Sequence, residues 1–355
     1  ETANKRGHKT ELFNPIDFNI YLSDNEKGWD ALYHEKNGEV NKLVAGQWDC
    51  VISRVGANRE YAASVIQQLN DNLHVWCLQS SYAINTCSDK VKTAQKCSAA
   101  KLKVPKQFYC LSPKNIAFLI EKLGGLPVIL KEITGSKGAN IILLESPMQT
   151  NMTLESYYKK GTRFILQQFL SNGGKDQRHI VVGDKVVCSM ERQAPKHDVR
   201  ANVSLEGVAK KITASSEVEK MCVDAVKAIP NLNFAGVDII EFNDESYLIE
   251  INSNPGEMII EVTGHNYFED VLDFCELNCK KKNGSSNGSS SAQSNKQLTN
   301  YFWENRIKLS YDEILEQYLQ ANNANESHCN EVKRVAYIEA GNKEQLIILL
   351  ESYQK

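Results

Sequence analysis

The stretch that decides the fold is FAGVDIIEFNDESYLIEINSNPG, residues 234–256. Two apolar runs rich in β-branched and aromatic residues flank a polar Asn-Asp-Glu-Ser tetrad, which predicts a β-hairpin turning near Asp244. A register symmetric about Asp244 sets Asp238 opposite Glu250, and the two-residue period of a strand puts Asn252 on the same face. Carboxylates facing each other across a strand pair, roughly 5 Å apart at Cβ, repel, and burying them among Val, Ile and Leu calls for a cation. Asp, Glu and an Asn carbonyl are hard oxygen donors suited to Mg²⁺ or Mn²⁺. The competing reading, a solvated strand face with incidental acids, stays open on this stretch alone.

Upstream, Val218, Cys222, Ala225, Val226 and Ile229 line one face of a Ser-capped amphipathic helix over 215–229. Further back, Ser112-Pro113 followed by NIAFLIEKL and Gly124-Gly125 reads as N-cap, first-turn proline and glycine stop. That helix feeds the strand LPVILKEI, whose Lys131 leads into a loop carrying Gly135, Ser136 and Gly138. Such a loop presents N–H groups and a point charge to phosphates, although most glycine-rich hairpin loops are only turns. Residues 163–190 read as a strand, a polar loop and a hairpin turning at Gly183-Asp184. Beyond it Arg192, Arg200 and Asn202 stand in a polar stretch, where guanidinium groups either clamp carboxylate or phosphoryl oxygens or simply face water.

The whole chain has 355 residues, with 41 basic against 44 acidic side chains, 42% apolar and 24% charged. Its length exceeds one usual domain, so at least two domains with a cleft between them are expected. A net charge of −3 gives no bulk attraction to nucleic acid or an anionic membrane. No apolar run spans a bilayer and the first residues lack a signal-peptide core, so the expectation is a soluble, cytoplasmic protein. The ten cysteines are scattered, without metal or disulfide spacing, and are expected to be reduced bystanders.

In this order and spacing, RVGA (54–57), SDK (88–90), PVILK (127–131), TGSKGAN (134–140), LQQFL (166–170), KDQRHIVVGDKVV (175–187), VRANVSLEG (199–207), AGVD (235–238) and EINSNPG (250–256) resemble the ATP-grasp superfamily, and within it the RimK-like amino-acid ligases. The resemblance covers residues 1 to about 275. It implies an α/β (α+β) ATP-grasp fold: an N-terminal pre-ATP-grasp domain (1–85), a central subdomain (86–160) and a C-terminal subdomain with the metal site (161–280), the last two sandwiching ATP. It further implies that Lys90 and Lys131 contact ATP phosphates beneath the loop of Gly135, Ser136 and Gly138. Adenine would bond the main chain at Gln168, Phe169 and Leu170, and Asp176 the ribose, with Arg178 in the nucleotide-binding set. Arg200 and Lys131 take the catalytic role of stabilising the phosphoryl group, and Asp238, Glu250 and Asn252 match the metal ligands. Arg54, Arg192, Arg200 and Asn202 are candidates for holding substrate carboxylates.

The implied chemistry is amide formation from ATP through an acylphosphate, adding glutamate or a similar amino acid to a carboxyl-bearing acceptor such as a peptide, a protein C-terminus or a small molecule. The alternatives are an ATP-grasp small-molecule kinase and a peptide-modifying ligase that recognises a leader segment. RimK-like relatives often assemble as tetramers, so the resemblance admits a homo-oligomer, dimer or tetramer. Glu206, where a glycine is frequent, and Gln193, in place of a second arginine, leave the acceptor open.

Residues 281–297 are rich in Gly, Ser and Asn and read as a flexible linker, followed by a helical extension over 298–333. Residues 334–355 then read as strand, turn and helix. Joined to Glu1 they would supply the first strand and helix of the N-terminal domain, so a circular permutation is expected; an independent helical tail is the plainer reading.

Overall fold

The structure, a computed structural model, describes residues 1–22, 31–44, 46–110, 114–133, 141–195 and 208–284. The N-terminal lobe runs through α1 (Thr2–Lys5), β1 (Phe18–Tyr21), β2 (Ala31–Lys36), β3 (Glu39–Lys42), β4 (Cys50–Val51), α2 (Arg59–Asp71), β5 (Trp76–Cys77) and α3 (Ser81–Cys87). Strands β1, β2 and β3 form an antiparallel sheet, and β4 pairs β5 in parallel. Helix α2 buries Val65, Ile66 and Leu69 against Phe18 and Leu32 of the first sheet.

Next come α4 (Lys90–Ala99), β6 (Gln107–Cys110), α5 (Ile116–Leu123), β7 (Val128–Glu132), β8 (Ile141–Leu144), α6 (Pro147–Lys159) and β9 (Phe164–Gln168). The four strands make one antiparallel sheet in the order β6-β9-β7-β8. Its outer face is covered by Leu119 and Leu123 of α5 and Leu154 of α6. β9 lies between β6 and β7 in this sheet, although it follows residue 160. Helix α5 starts later than its sequence suggests: Asn115, whose side chain accepts from the Phe118 N–H, is the cap, and Ser112-Pro113 lie outside the described residues.

The remaining elements are β10 (Lys175–Val182), β11 (Lys185–Gln193), β12 (Val208–Lys211), α7 (Ser216–Lys227), β13 (Phe234–Phe242), β14 (Glu245–Asn252), α8 (Met258–Thr263) and α9 (Phe268–Gly284). Five antiparallel strands follow the order β12-β11-β10-β13-β14. Ser215 caps α7 by accepting from the Val218 N–H, and the expected stripe of α7 packs on Val181, Val237, Ile239 and Leu248 of one sheet face. The other face is divided. Ile180, Val182 and Phe234 are buried under Ile259 of α8 and Val271 of α9, whereas the same strands carry Asp176, Arg178 and Asp238 further along.

The unit Glu1–Cys279 holds these elements up to the last residues of α9. Lys281 to Gly284, expected to open the linker, continue that helix; Lys-Lys-Asn contains no helix breaker, and the Gly/Ser-rich run starts only at Gly284. The rest of the linker, the 298–333 extension and the strand and helix at 334–355 lie outside the described residues. No helix among the described residues is long and apolar enough to cross a membrane. The nine described cysteines are free thiols, and burial pushes Cys87 and Cys97 up to about 12, far from nucleophilic.

On the α7 face, His179 is fully buried and bonded through its ring nitrogens to Ser189 Oγ (2.8 Å) and Gln177 Oε1 (3.2 Å). Burial pulls it down to about 4, against the pull of Asp238. Its folded value lies below its unfolded value, so the fold is stabilised in full above the unfolded pKa and loses that contribution as pH falls from 6.5 towards 4. Urea titrations at pH 7, 6 and 5 are expected to show wild-type stability falling by up to about 1.4 kcal/mol per pH unit more than that of His179→Gln. Parallel curves would contradict it.

Candidate active site

The hairpin of β13 and β14 forms where the sequence places it, and Asp238 pairs with Glu250 as expected. The turn itself is Asn243-Asp244, both at positive φ (52° and 58°), the conformation of a type I′ hairpin turn, which Asn and Asp tolerate. Phe242 therefore faces Glu245, a register one residue out of step with the pairing at Asp238. A bulge that leaves Ile249 unpaired, between Asp238↔Glu250 and Ile239↔Leu248, makes up the difference. Beyond it Gly236 faces Asn252, so Asp238, Glu250 and Asn252 share one face. Gly236 is required by the SNPG turn, since a Cβ there would lie 2.8 Å from Pro255 Cβ.

Around that face the charges are paired. Arg178 holds Asp238 with both arms of its fork, Nε to Oδ1 at 2.8 Å and Nη2 to Oδ2 at 2.7 Å. Arg192 donates to both oxygens of Asp176, at 2.7 and 2.5 Å, and reaches Asp238 Oδ2 at 3.3 Å. Asp238 is 2% exposed and Arg192 5%. Burial works to raise the Asp238 carboxyl, but Arg178 and Arg192 outweigh it and leave it below its usual range. For Asp176 burial wins over Arg192, and its carboxyl lies above that range. Arg192, a candidate for gripping substrate, is thus a brace between two buried acids.

Lys90 opens α4 directly after its N-cap Asp89, whose carboxylate accepts from the Val91 and Lys92 N–H groups. That placement brings its Nζ to 3.8 Å from Glu250 Oε1. Lys131 approaches from β7 of the other sheet. Burial lowers its ammonium to about 8, while Glu250, Asp238 and Asp176 support the charged form and Lys90 opposes it.

Ile129, Lys131 and Ile141 of the four-stranded sheet and Asp176, Ile240 and Ile249 of the five-stranded sheet line a cleft together with Gln168, Phe169 and Leu170. The Gln168 N–H donates to Lys106 O at 2.8 Å. Of the remaining candidates, Gly135, Ser136, Gly138, Arg200 and Asn202 lie outside the described residues.

Arg54 stands apart from the charge network, beside the SNPG turn. It donates to Pro255 O at 3.0 Å and to Glu257 Oε1 at 3.1 Å and lies over the Phe268 ring, 5.3 Å from its centroid. Sequence reading missed one connector entirely. The amide of Gln79, 1% exposed, donates to Phe234 O and Ser253 O and accepts from Ser53 Oγ, tying the N-terminal lobe to the hairpin. A lone glutamine before a helix cap gives no signal of this.

The donor set of the hairpin fits a hard divalent cation. Asp238 is held ionised with its oxygens on Arg178 and Arg192, and Glu250 and Asn252, whose side chains offer further oxygens, share its face. Among the described residues no three His, Cys, Asp or Glu side chains gather as a metal site, so a thiolate or imidazole centre has no basis there.

Two antiparallel sheets facing across a cleft, with paired acids on the last hairpin and lysines from both sides, define an ATP-grasp fold. A family model described as "RimK-like ATP-grasp domain" matches residues 87–274. A protein of Shewanella loihica named "Probable alpha-L-glutamate ligase" is 28% identical over 282 residues, covering 79% of this chain and 90% of its own. One of the same name from Coxiella burnetii is 29% identical over equal shares. The solved structure of the ATP-grasp ligase PsnB with a phosphomimetic minimal precursor, Mg and ADP superposes with a TM-score of 0.61 at 18% identity, over 78% of this chain and 92% of that one. D-alanine–D-alanine ligase from Bacillus anthracis with ATP gives 0.52 at 14% identity, over 66% and 81%. The chain belongs to the RimK-like ATP-grasp family and is an ATP-dependent ligase.

Proposed function

We propose that this ligase activates an acceptor carboxylate with ATP and joins it to the amine of glutamate or a similar amino acid. The observation that carries the reading is that Lys131 and Asp176 line the cleft while the charges of Lys90, Glu250 and Asp238 all act on Lys131, with Lys90 reaching Glu250 and Glu250 paired with Asp238. ATP would lie with adenine against Phe169 and Leu170 and its phosphates towards Lys90 and Lys131. Asp238, Glu250 and Asn252 would hold Mg²⁺, which when bound neutralises phosphate charge. The acceptor carboxylate attacks the γ-phosphorus and ADP leaves; the amine then attacks the acyl carbon and phosphate leaves. The chain's part is to position reactants and to offset charge, as in phosphoryl transfer generally.

The names of the glutamate ligases support the choice of amino acid. PsnB, solved with a precursor peptide, supports a peptide among the acceptors to be tried. Hydroxylamine separates a ligase from a kinase: it intercepts an acylphosphate as a hydroxamate, and a kinase yields none.

Lys131→Ala is expected to weaken nucleotide binding about 10- to 100-fold, the loss of one charge-assisted contact. Calorimetry at pH 7 checks it. In the wild type, affinity should also fall as pH rises through about 8, where Lys131 loses its proton. Unchanged affinity in the variant would count against its phosphate role.

A further inference from the structure

The Arg54–Glu257 pair lies at the turn that follows the candidate metal ligands, and its two halves differ in freedom. Arg54 is fixed: one arm donates to Pro255 O and its face lies on Phe268, and its side chain is 29% exposed. The Glu257 side chain is 64% exposed and, among the described residues, makes one polar contact, of 3.1 Å, with the other arm. Pro255, whose carbonyl Arg54 holds, packs on Gly236, two residues before Asp238. In the same turn the Asn254 Oδ1 is buried with no donor among the described residues.

A cation and an anion held side by side, one rigid and one able to swing, mirror the two charges of an α-amino acid. Its α-carboxylate can take the Arg54 arm that Glu257 occupies, and its α-ammonium can take the displaced Glu257. One partly exposed ion pair is thereby replaced by two, and neither protein charge is left alone. A ligand with only a carboxylate would evict Glu257 without giving it a partner. A ligand with only an amine would have to leave Arg54 where it is.

From this we infer that Arg54 and Glu257 together form the site for the zwitterionic head of the amine-donating amino acid, with Glu257 setting the requirement for a free α-ammonium. The inference rests on the ligase reading above and adds a residue and a discrimination rule to it.

The test is calorimetry on the full chain loaded with Mg²⁺ and a non-hydrolysable ATP analogue. The probes are L-glutamate, N-acetyl-L-glutamate, which lacks the ammonium, and the α-amide of L-glutamate, which lacks the α-carboxylate. The wild type is expected to bind glutamate at least about tenfold more tightly than either derivative. Glu257→Gln should lose about tenfold for glutamate and most of the discrimination against the N-acetyl form, while Glu257→Asp restores part of both. These losses fall on the amino acid and not on the nucleotide, as a merely structural clamp would not require. Equal glutamate affinity in wild type and Glu257→Gln, or no glutamate binding to the nucleotide-loaded wild type, overturns the inference. Absence of nucleotide binding in the first titration instead strikes the ligase reading, and the inference falls with it.

Discussion

Glu250→Gln is expected to lose ATP turnover by at least about 10²-fold while its unfolding midpoint stays close to that of the wild type. Glu250 is partly exposed and its lysine partner, Lys90, stands 3.8 Å away, too far for a strong charge-assisted bond, so neutralising it costs the fold little. Asp238→Asn is expected to abolish turnover as well, but with a price in stability. A reading of the hairpin as two repelling acids suggests that removing either charge spares the fold. Asp238 instead neutralises two guanidiniums, Arg178 and Arg192, in a buried network. Leaving them short of an anion costs about 3 kcal/mol. ADP release and urea unfolding, measured on both variants, check the two halves. Wild-type turnover in Glu250→Gln would remove the metal assignment.

Arg192→Met is expected to be the most destabilising single change at the site, by about 3–5 kcal/mol. It strips the shared cation from Asp176 and Asp238, two carboxylates buried on the same face. Arg192→Lys should recover only part of that, because a single ammonium cannot reproduce a fork that grips Asp176 with two nitrogens and still reaches Asp238. Urea titration decides: a loss under about 1 kcal/mol in Arg192→Met would mean the two acids do not depend on it.

Much of this site is legible in the residues. The two apolar runs on either side of the polar tetrad 243–246 specify a hairpin, and that polar tip fixes the turn to within one residue. The pairing of Asp238 with Glu250 follows even so only because two departures cancel: the turn is centred between Asn243 and Asp244, and Ile249 bulges. Bulges answer to packing across a sheet and leave no mark in alternation. The partners of Arg178 and Arg192 were hidden for a similar reason. An arginine on a strand advertises a charge, whereas its partner depends on which strand lies alongside, here β13 and β11 beside β10. The placement of β9 in the four-stranded sheet is likewise a matter of topology, since β9 and β10 are consecutive strands separated by a short polar loop yet belong to different sheets.

The bulge at Ile249 divides the last hairpin into two segments that keep separate counts. Distal of it, from Ile239↔Leu248 to Phe242↔Glu245, residues can be exchanged or lengthened in matched pairs without changing which way Glu250 and Asn252 point. That makes the hairpin tip a place to graft an epitope or a fluorophore-bearing peptide on this enzyme, one where the ladder beneath it absorbs the addition before it reaches the carboxylates.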